Sequence, residues 1–130
     1  MSLNILALSS TLTEKQLAAI SSVHEDIKIT TCKKAAAADH IADADILIAW
    51  GQTKMDDLLP LAPRLKWVHA LSAGVDDMLS PDFAESNIIL TNSSGIHGTP
   101  IAEHVLGIML ASSRGLFTAY EQQKQKLWKS

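Results

Sequence analysis

Two loops rich in Gly and Ser carry the residue types that could do chemistry in this sequence. The first is Leu71-Ser72-Ala73-Gly74-Val75-Asp76, which follows an apolar run. The second is Asn92-Ser93-Ser94-Gly95-Ile96-His97-Gly98-Thr99-Pro100, which leads into a long apolar stretch. Gly74 opens backbone conformations closed to other residues, and successive amides after a strand can converge on an anion. The chemistry would be a cradle for a small carboxylate at Ser72, Ala73 and Gly74. The competing reading is a tight turn in which Asp76 caps a helical turn. In the second loop, Thr99 before Pro100 marks a helix start, because Pro at the first helical position loses no hydrogen bond. Free amides there attract anions or phosphates; the competing reading is a polar loop with a good cap.

Other candidates carry less. Glu103 and His104 could be an acid/base pair, but adjacent helix residues point about 100° apart and do not face each other. A buried structural carboxylate and imidazole, or a place at a domain junction, fits them better. His24, His40, His69, His97 and His104 show no zinc spacing, and no HExxH occurs. Ser9, Ser10, Ser72 and Ser94 sit in no GxSxG elbow. Gly95 and Gly98 do not form GxGxxG, and no Gly-rich phosphate loop follows the first strand. A receiver domain would want an Asp at the end of the third strand, where this chain has Trp50. No catalytic residue and no metal ligand is assigned.

The elements that must position these loops follow from the hydrophobic pattern. Strands are predicted over 4–8, 27–31, 45–50, 65–71 and 87–91. Helical segments are predicted over 14–22, 33–42, 55–61 and 75–79, then over 100–114 and 116–128. Strands alternating with helices mean a parallel sheet in an α/β fold, and strands apolar throughout mean a sheet covered on both faces. Five such units predict a flavodoxin-like, doubly wound five-stranded parallel sheet, order 2-1-3-4-5. Ile5, Leu6, Ile46, Leu47, Ile48, Val68 and Ile89 should be buried. Ligands of such sheets bind beyond the carboxyl ends of the strands, which points to Ser9-Ser10, Trp50-Gly51-Gln52 and Ser72-Ala73-Gly74. The helix from Pro100 is apolar on nearly every side and should be buried. Gly107 costs about 1 kcal/mol inside it, which predicts a close backbone approach. Leu116, Phe117, Tyr120, Leu127 and Trp128 form an apolar stripe with little chain left to cover it; it can fold back onto the substrate domain or pair with a second copy, and the homodimer is the favoured expectation.

Composition bounds the class. The 130 residues suffice for one domain with a real core. A net charge of −3 without a basic cluster argues against nucleic acid. No apolar run reaches the roughly 18 residues of a membrane span, and the start lacks the features of a signal peptide. Cys32 is the only cysteine, which excludes an intrachain disulfide and fits a reducing, cytoplasmic setting.

Together, WVHALSAGVDDM and TNSSGIHGTPIAEHVLGIMLA resemble the D-isomer-specific 2-hydroxyacid dehydrogenases. Either loop alone would be weak; both loops with the helix start are specific. The resemblance implies a two-domain enzyme with substrate in the cleft between a catalytic domain and a Rossmann domain that binds NAD or NADP. It places the carboxylate of a 2-oxo acid on the amides of Ser72-Ala73-Gly74, sets Trp50 and Gly51 at the border of the substrate, and brings Thr99 near the nicotinamide end as a cofactor-binding residue. Residues 1–115 would be an incomplete substrate domain, and residues 116–130 a helical segment leading to a Rossmann domain absent here. The family's dinucleotide fingerprint and its catalytic Arg, Glu and His lie in later sequence. The expectation is a fragment of an NAD(P)-dependent oxidoreductase interconverting a small 2-oxo acid and its D-2-hydroxy acid. By itself it would be inactive and bind no cofactor. The alternative is a stand-alone small-molecule or protein-binding module that kept the fold and lost the chemistry.

Overall fold

A computed structural model describes residues 2–8 and 12–128. The strands are β1 (Leu3–Ala7), β2 (Ile27–Thr31), β3 (Ile46–Ala49), β4 (Trp67–Ala70) and β5 (Ile89–Asn92). All pair in parallel, in the predicted order β2-β1-β3-β4-β5. The helices are α1 (Glu14–Ser21), α2 (Pro81–Ala84), α3 (Gly98–Ser113) and α4 (Leu116–Lys124). The chain divides into two compact units, Met1–Ser94 and Gly95–Ser130.

In the first unit, side chains alternate across each strand and so sort onto two faces. Leu6, Leu47, Val68 and Ala70 point to one face and meet Ile41, Met55, Met78 and Phe83 from the connecting segments. Ile5, Ala7, Ile46 and Ile48 point to the other, against Leu12 and Ile20. β3 is buried along its whole length because it is the central strand. α1 starts where it does because Thr13 and Gln16 form a reciprocal capping box.

The second face is less covered than predicted. It continues over β4 and β5 as Trp67, His69, Ile89 and Thr91, where Trp67 is 37% and Ile89 63% exposed. A groove of about 460 Å³, lined by Ile5, Ile20, Ile46, Ile48, Trp67 and Leu71, runs along it. The prediction that Ile89 is buried is therefore wrong. β5 is an edge strand, and apolarity alone does not bring cover to an edge.

The connecting segments also differ from expectation. Residues 33–42 form two 3-10 segments, Lys34–Asp39 and Ile41–Asp43, interrupted at His40, instead of one α-helix. They bury Ala37 and Ile41 against the sheet. Residues 55–61 keep only a 3-10 turn at Leu59–Leu61, since Pro60 cannot donate to a helix that would run through it. The turn predicted near 75–79 is the 3-10 segment Asp76–Met78. The short α2, with Ser80 as its N-cap, was not predicted.

At the amino rim of the sheet, Asp45 is buried, 2% exposed. Its carboxylate accepts from the amide of Asn4 (3.1 Å), from Arg64 (3.2 and 3.3 Å) and from Lys66 (3.3 Å). Its own amide donates to Asn4 O, and its carbonyl accepts from Lys66 N. One side chain thus ties β1, β3 and the approach to β4. The Asn4 amide holds the Asp45 carboxyl below its ordinary range, helped by Lys66 and Arg64 and opposed by burial.

The second unit is helical. α3 begins at Gly98, two residues before the predicted start, with His97 at the N-cap and no side-chain cap bond. Pro100 then falls within the first turn, where amides have no helical partner in any case. Gly115, at φ 66°, breaks α3 from α4. The prediction of a buried α3 is not met: no residue of either helix is buried. Two helices of 16 and 9 residues cannot cover a cylinder that is apolar on every side. A Cβ at Gly107 would meet nothing within 4 Å, so the predicted close approach is absent. Glu103 and His104 are both exposed, which also corrects the reading of a buried carboxylate and imidazole. The stripe Leu116, Phe117, Tyr120, Leu127 and Trp128, which runs past the end of α4, is exposed, up to 97% at Trp128.

Candidate functional site

Strands β3, β4 and β5 are neighbours, so the segments leaving their carboxyl ends are neighbours too. Leu71 N donates to Ala49 O (2.8 Å), carrying the β3–β4 pairing one residue past the strand. The β3 exit then approaches the β4 exit so closely that a Cβ on Gly51 would overlap Gly74 O and Ser72 Oγ. Only glycine fits at position 51. In the space this leaves, Gly51 N–H donates to Ser72 Oγ (2.9 Å), and the Ser72 hydroxyl donates to Gly74 O (2.8 Å).

The β5 exit braces the same loop from the other side. Ser93 N–H donates to Ser72 O (3.1 Å). The Ser93 hydroxyl donates to Ala70 O (3.2 Å), and Asn92 Nδ2 donates to Ala73 O (2.6 Å). The carbonyls of Ser72, Ala73 and Gly74 are therefore all engaged within the protein. Ala73 and Gly74 are exposed residues whose amides have no acceptor among the described residues. A cavity of about 330 Å³ at Gly74 is lined by Gly51, Gln52, Ser72, Gly74, Asp76 and Asp77, and Ala73 is not part of that lining.

This arrangement can bind a small anion through backbone donors. The ionisable lining residues are the carboxylates Asp76 and Asp77, which oppose an anion and must be outweighed by the amides. No Arg, Lys or His lines the cavity. The structure thus brings Ser72, Ala73, Gly74 and Gly51 together. Trp50 directly follows β3, is 40% exposed and does not line the cavity. Ser9 and Ser10 lie outside the described residues. Thr99 belongs to the second unit, exposed in the first turn of α3. The backbone freedom expected of Gly74 is not used, and a steric role not foreseen falls to Gly51. Gly74 lacks a positive φ, and a Cβ there would only touch Asp76 Oδ2 at 3.8 Å. The glycine with no substitute is Gly51.

Asn92 and Ser93 were missed in the role they play. The sequence places them in one loop with residues 95–100, whereas the structure gives them to the first unit. The usable signal was a polar Asn-Ser pair directly at a strand end, one strand away from the glycine loop. His69 was set aside for lack of metal spacing. Its Nδ1 lies 2.9 Å from Thr91 Oγ1, which also accepts from Trp67 Nε1 (2.8 Å). Its Nε2 lies 3.5 Å from Ser93 Oγ, whose proton goes to Ala70 O. No acidic group orients that imidazole, so this contact is not an activated nucleophile. Among the described residues, no group of three or more His, Cys, Asp or Glu could hold a metal ion. No helix among them is long and apolar enough to cross a membrane.

Comparison with known proteins places this geometry. The family described as D-isomer specific 2-hydroxyacid dehydrogenase, catalytic domain, matches residues 5–126. A D-3-phosphoglycerate dehydrogenase of Methanocaldococcus jannaschii is 31% identical over 91 residues, covering 69% of this chain and 17% of that protein. A glyoxylate/hydroxypyruvate reductase B of Pectobacterium atrosepticum is 33% identical over 95 residues, covering 72% of this chain and 30% of that protein. The crystal structure of a D-isomer specific 2-hydroxyacid dehydrogenase family protein from Aeromonas salmonicida matches with a TM-score of 0.84 at 30% identity, over 100% of this chain and 42% of that one. The chain spans less than half the length of each of these proteins. It belongs to the D-isomer specific 2-hydroxyacid dehydrogenase family, in the catalytic-domain portion.

Proposed function

We propose that this chain is the substrate-binding portion of an NAD(P)-dependent oxidoreductase that interconverts a small 2-oxo acid and its D-2-hydroxy acid. Residues 1–115 form the substrate domain, and residues 116–130 lead toward a nucleotide-binding domain. The substrate carboxylate sits on the loop Ser72-Ala73-Gly74, with Gly51 and Trp50 at its border and Thr99 on the side of the cofactor. The observation that carries the reading is the pair of free amides at Ala73 and Gly74, in a loop whose three carbonyls are all engaged. The names of the relatives, a phosphoglycerate dehydrogenase and a glyoxylate/hydroxypyruvate reductase, support a small hydroxy or oxo acid.

The residues of this chain do not fit a dinucleotide. Its six glycines include none between β1 and α1, where a phosphate-binding turn would need them. Hydride transfer requires a nicotinamide and a proton donor at the substrate carbonyl, and the cavity supplies neither. The chain alone therefore has no dehydrogenase activity in this reading. Its location is the cytoplasm, and the exposed stripe Leu116, Phe117, Tyr120, Leu127 and Trp128 pairs with a second copy as a homodimer. The absence of any basic or imidazole group from the cavity favours one other reading, a binding module that kept the fold without the chemistry.

Two charge-assisted backbone bonds contribute about 1.5–3 kcal/mol each, and association costs at least about 4 kcal/mol. Dissociation constants of order millimolar or weaker follow. Titration with glyoxylate or oxamate, followed by amide NMR, should give small shifts centred on residues 72–75. Micromolar binding, or shifts elsewhere, would refute the site. Oxidation of NADH or NADPH by the purified chain with glyoxylate, hydroxypyruvate or pyruvate would refute the inactivity.

A further inference from the structure

The geometry points to Asn92 as the positioning residue that holds the loop in its anion-receiving form, an assignment that rests on the carboxylate reading above. A trans peptide unit carries its C=O and its N–H on opposite sides of one plane. The unit joining Ala73 and Gly74 has its carbonyl held by Asn92 Nδ2 at 2.6 Å. Its N–H, the Gly74 amide, is thereby turned the other way, free of any acceptor among the described residues. Releasing that carbonyl frees the unit to rotate, because glycine on its far side imposes little steric barrier.

The flanking units are held differently. Ser72 O accepts from the backbone of Ser93, and Gly74 O accepts from Ser72 within the loop itself. Asn92 is the lock made by a side chain reaching across from a neighbouring strand. The orientation of its amide is set in turn, since Ser94 N lies 3.4 Å from Asn92 Oδ1 and leaves Nδ2 to face Ala73. Asn92 is exposed at the end of the edge strand, so replacing it leaves the core contacts in place.

The test compares the parent chain with Asn92→Ala, Asn92→Asp and Ser94→Ala. The Ser94 side chain has no hydrogen bond among the described residues and serves as the control. Without ligand, the carbonyl carbon of Ala73 and the amide nitrogen of Gly74 should shift in both Asn92 variants and stay put in Ser94→Ala. Thermal midpoints should remain close to that of the parent. Glyoxylate affinity, read from the Gly74 amide, should fall by about fivefold to tenfold in Asn92→Ala. It should fall further in Asn92→Asp, whose carboxylate would face both the Ala73 carbonyl and the anion. Unmoved Ala73 and Gly74 signals, or unchanged glyoxylate binding, would overturn the assignment. So would shifts spread over the whole sheet, which mark a merely structural residue. If the loop amides of the parent ignore glyoxylate, the carboxylate reading fails instead, and the ligand-free signals still decide whether Asn92 holds the peptide.

Discussion

The two rims of the sheet are closed by opposite means. The amino rim is closed by charge: the buried Asp45 gathers Arg64, Lys66 and the Asn4 amide. The carboxyl rim is closed by neutral bonds, most of which end on backbone carbonyls: Ser93 on Ser72 and Ala70, Asn92 on Ala73, Ser72 on Gly74. The first arrangement gives one buried carboxylate two cationic partners and an amide. The second occupies the carbonyls of Ser72, Ala73 and Gly74 and leaves the amides of Ala73 and Gly74 without an acceptor among the described residues, near the carboxylates of Asp76 and Asp77. A fold can thus close one rim on a buried charge and the other on backbone carbonyls, and at the second two peptide donors stay open among the described residues.

The comparison breaks most severely at Gly51. Gly51→Ala forces a Cβ into Gly74 O and Ser72 Oγ, and the obstacle is partly backbone. We expect a loss of about 3 kcal/mol, the upper end of overpacking costs, and no detectable glyoxylate shifts at residues 72–75. Urea unfolding with the NMR titration checks both; a variant as stable as the parent would mean the two exits are not held together.

The amino rim ranks next. Asp45→Ala leaves the Asn4 amide without its acceptor, at about 1–3 kcal/mol, while glyoxylate shifts at the far rim stay as in the parent. Its pH dependence separates the rims further. A carboxyl held below its unfolded pKa of about 3.9 contributes fully above that value. The contribution is lost as pH falls through the lower folded value. The stability advantage of the parent over Asp45→Ala should therefore shrink below about pH 4, whereas the gap between parent and Gly51→Ala should hardly change. Urea midpoints measured from pH 7 down to about 3 would expose a constant Asp45 gap, contradicting the assigned direction.

Ser72→Ala removes one acceptor and one donor at a partly exposed site, an expected loss of about 1 kcal/mol, with weaker glyoxylate binding as the loop loosens. The smallest effects belong to the outer charges of the amino rim. Arg64 and Lys66 are 46% and 72% exposed at the side chain, so Arg64→Gln or Lys66→Gln should each cost less than about 1 kcal/mol, shrinking with added salt. A larger, salt-insensitive cost would move the weight of this rim from the Asn4 amide to the ion pairs.

The helical unit marks a different limit of local pattern. The all-round apolarity of α3 and the spaced glycine at Gly107 carry a demand for partners, but neither says which surface meets it. Both helices stand exposed in the structure. The start of α3 misleads for a related reason: Thr99-Pro100 is a good helix opening, yet Pro is equally free of cost anywhere in the first turn, so the helix reaches back to Gly98.

The five strands, their parallel order and the Gly-Ser loop after the fourth strand are legible in the chain itself. Apolar runs bounded by Gly and Ser report directly on burial and on turns, and a five-unit α/β chain has few ways to wind. The way that loop is held comes from contacts between distant parts of the chain. Gly51, Ser72 and Asn92 are separated by 21 and 20 residues, and they meet because β3, β4 and β5 lie side by side. No local signal distinguishes a glycine required by a neighbouring strand's carbonyl from one required by its own φ, so the steric role appeared at Gly51 and not at Gly74. Local apolarity does not measure cover even when the strand order is known: Ile48 and Ile89 sit in similar apolar runs, and position in the sheet buries one and exposes the other.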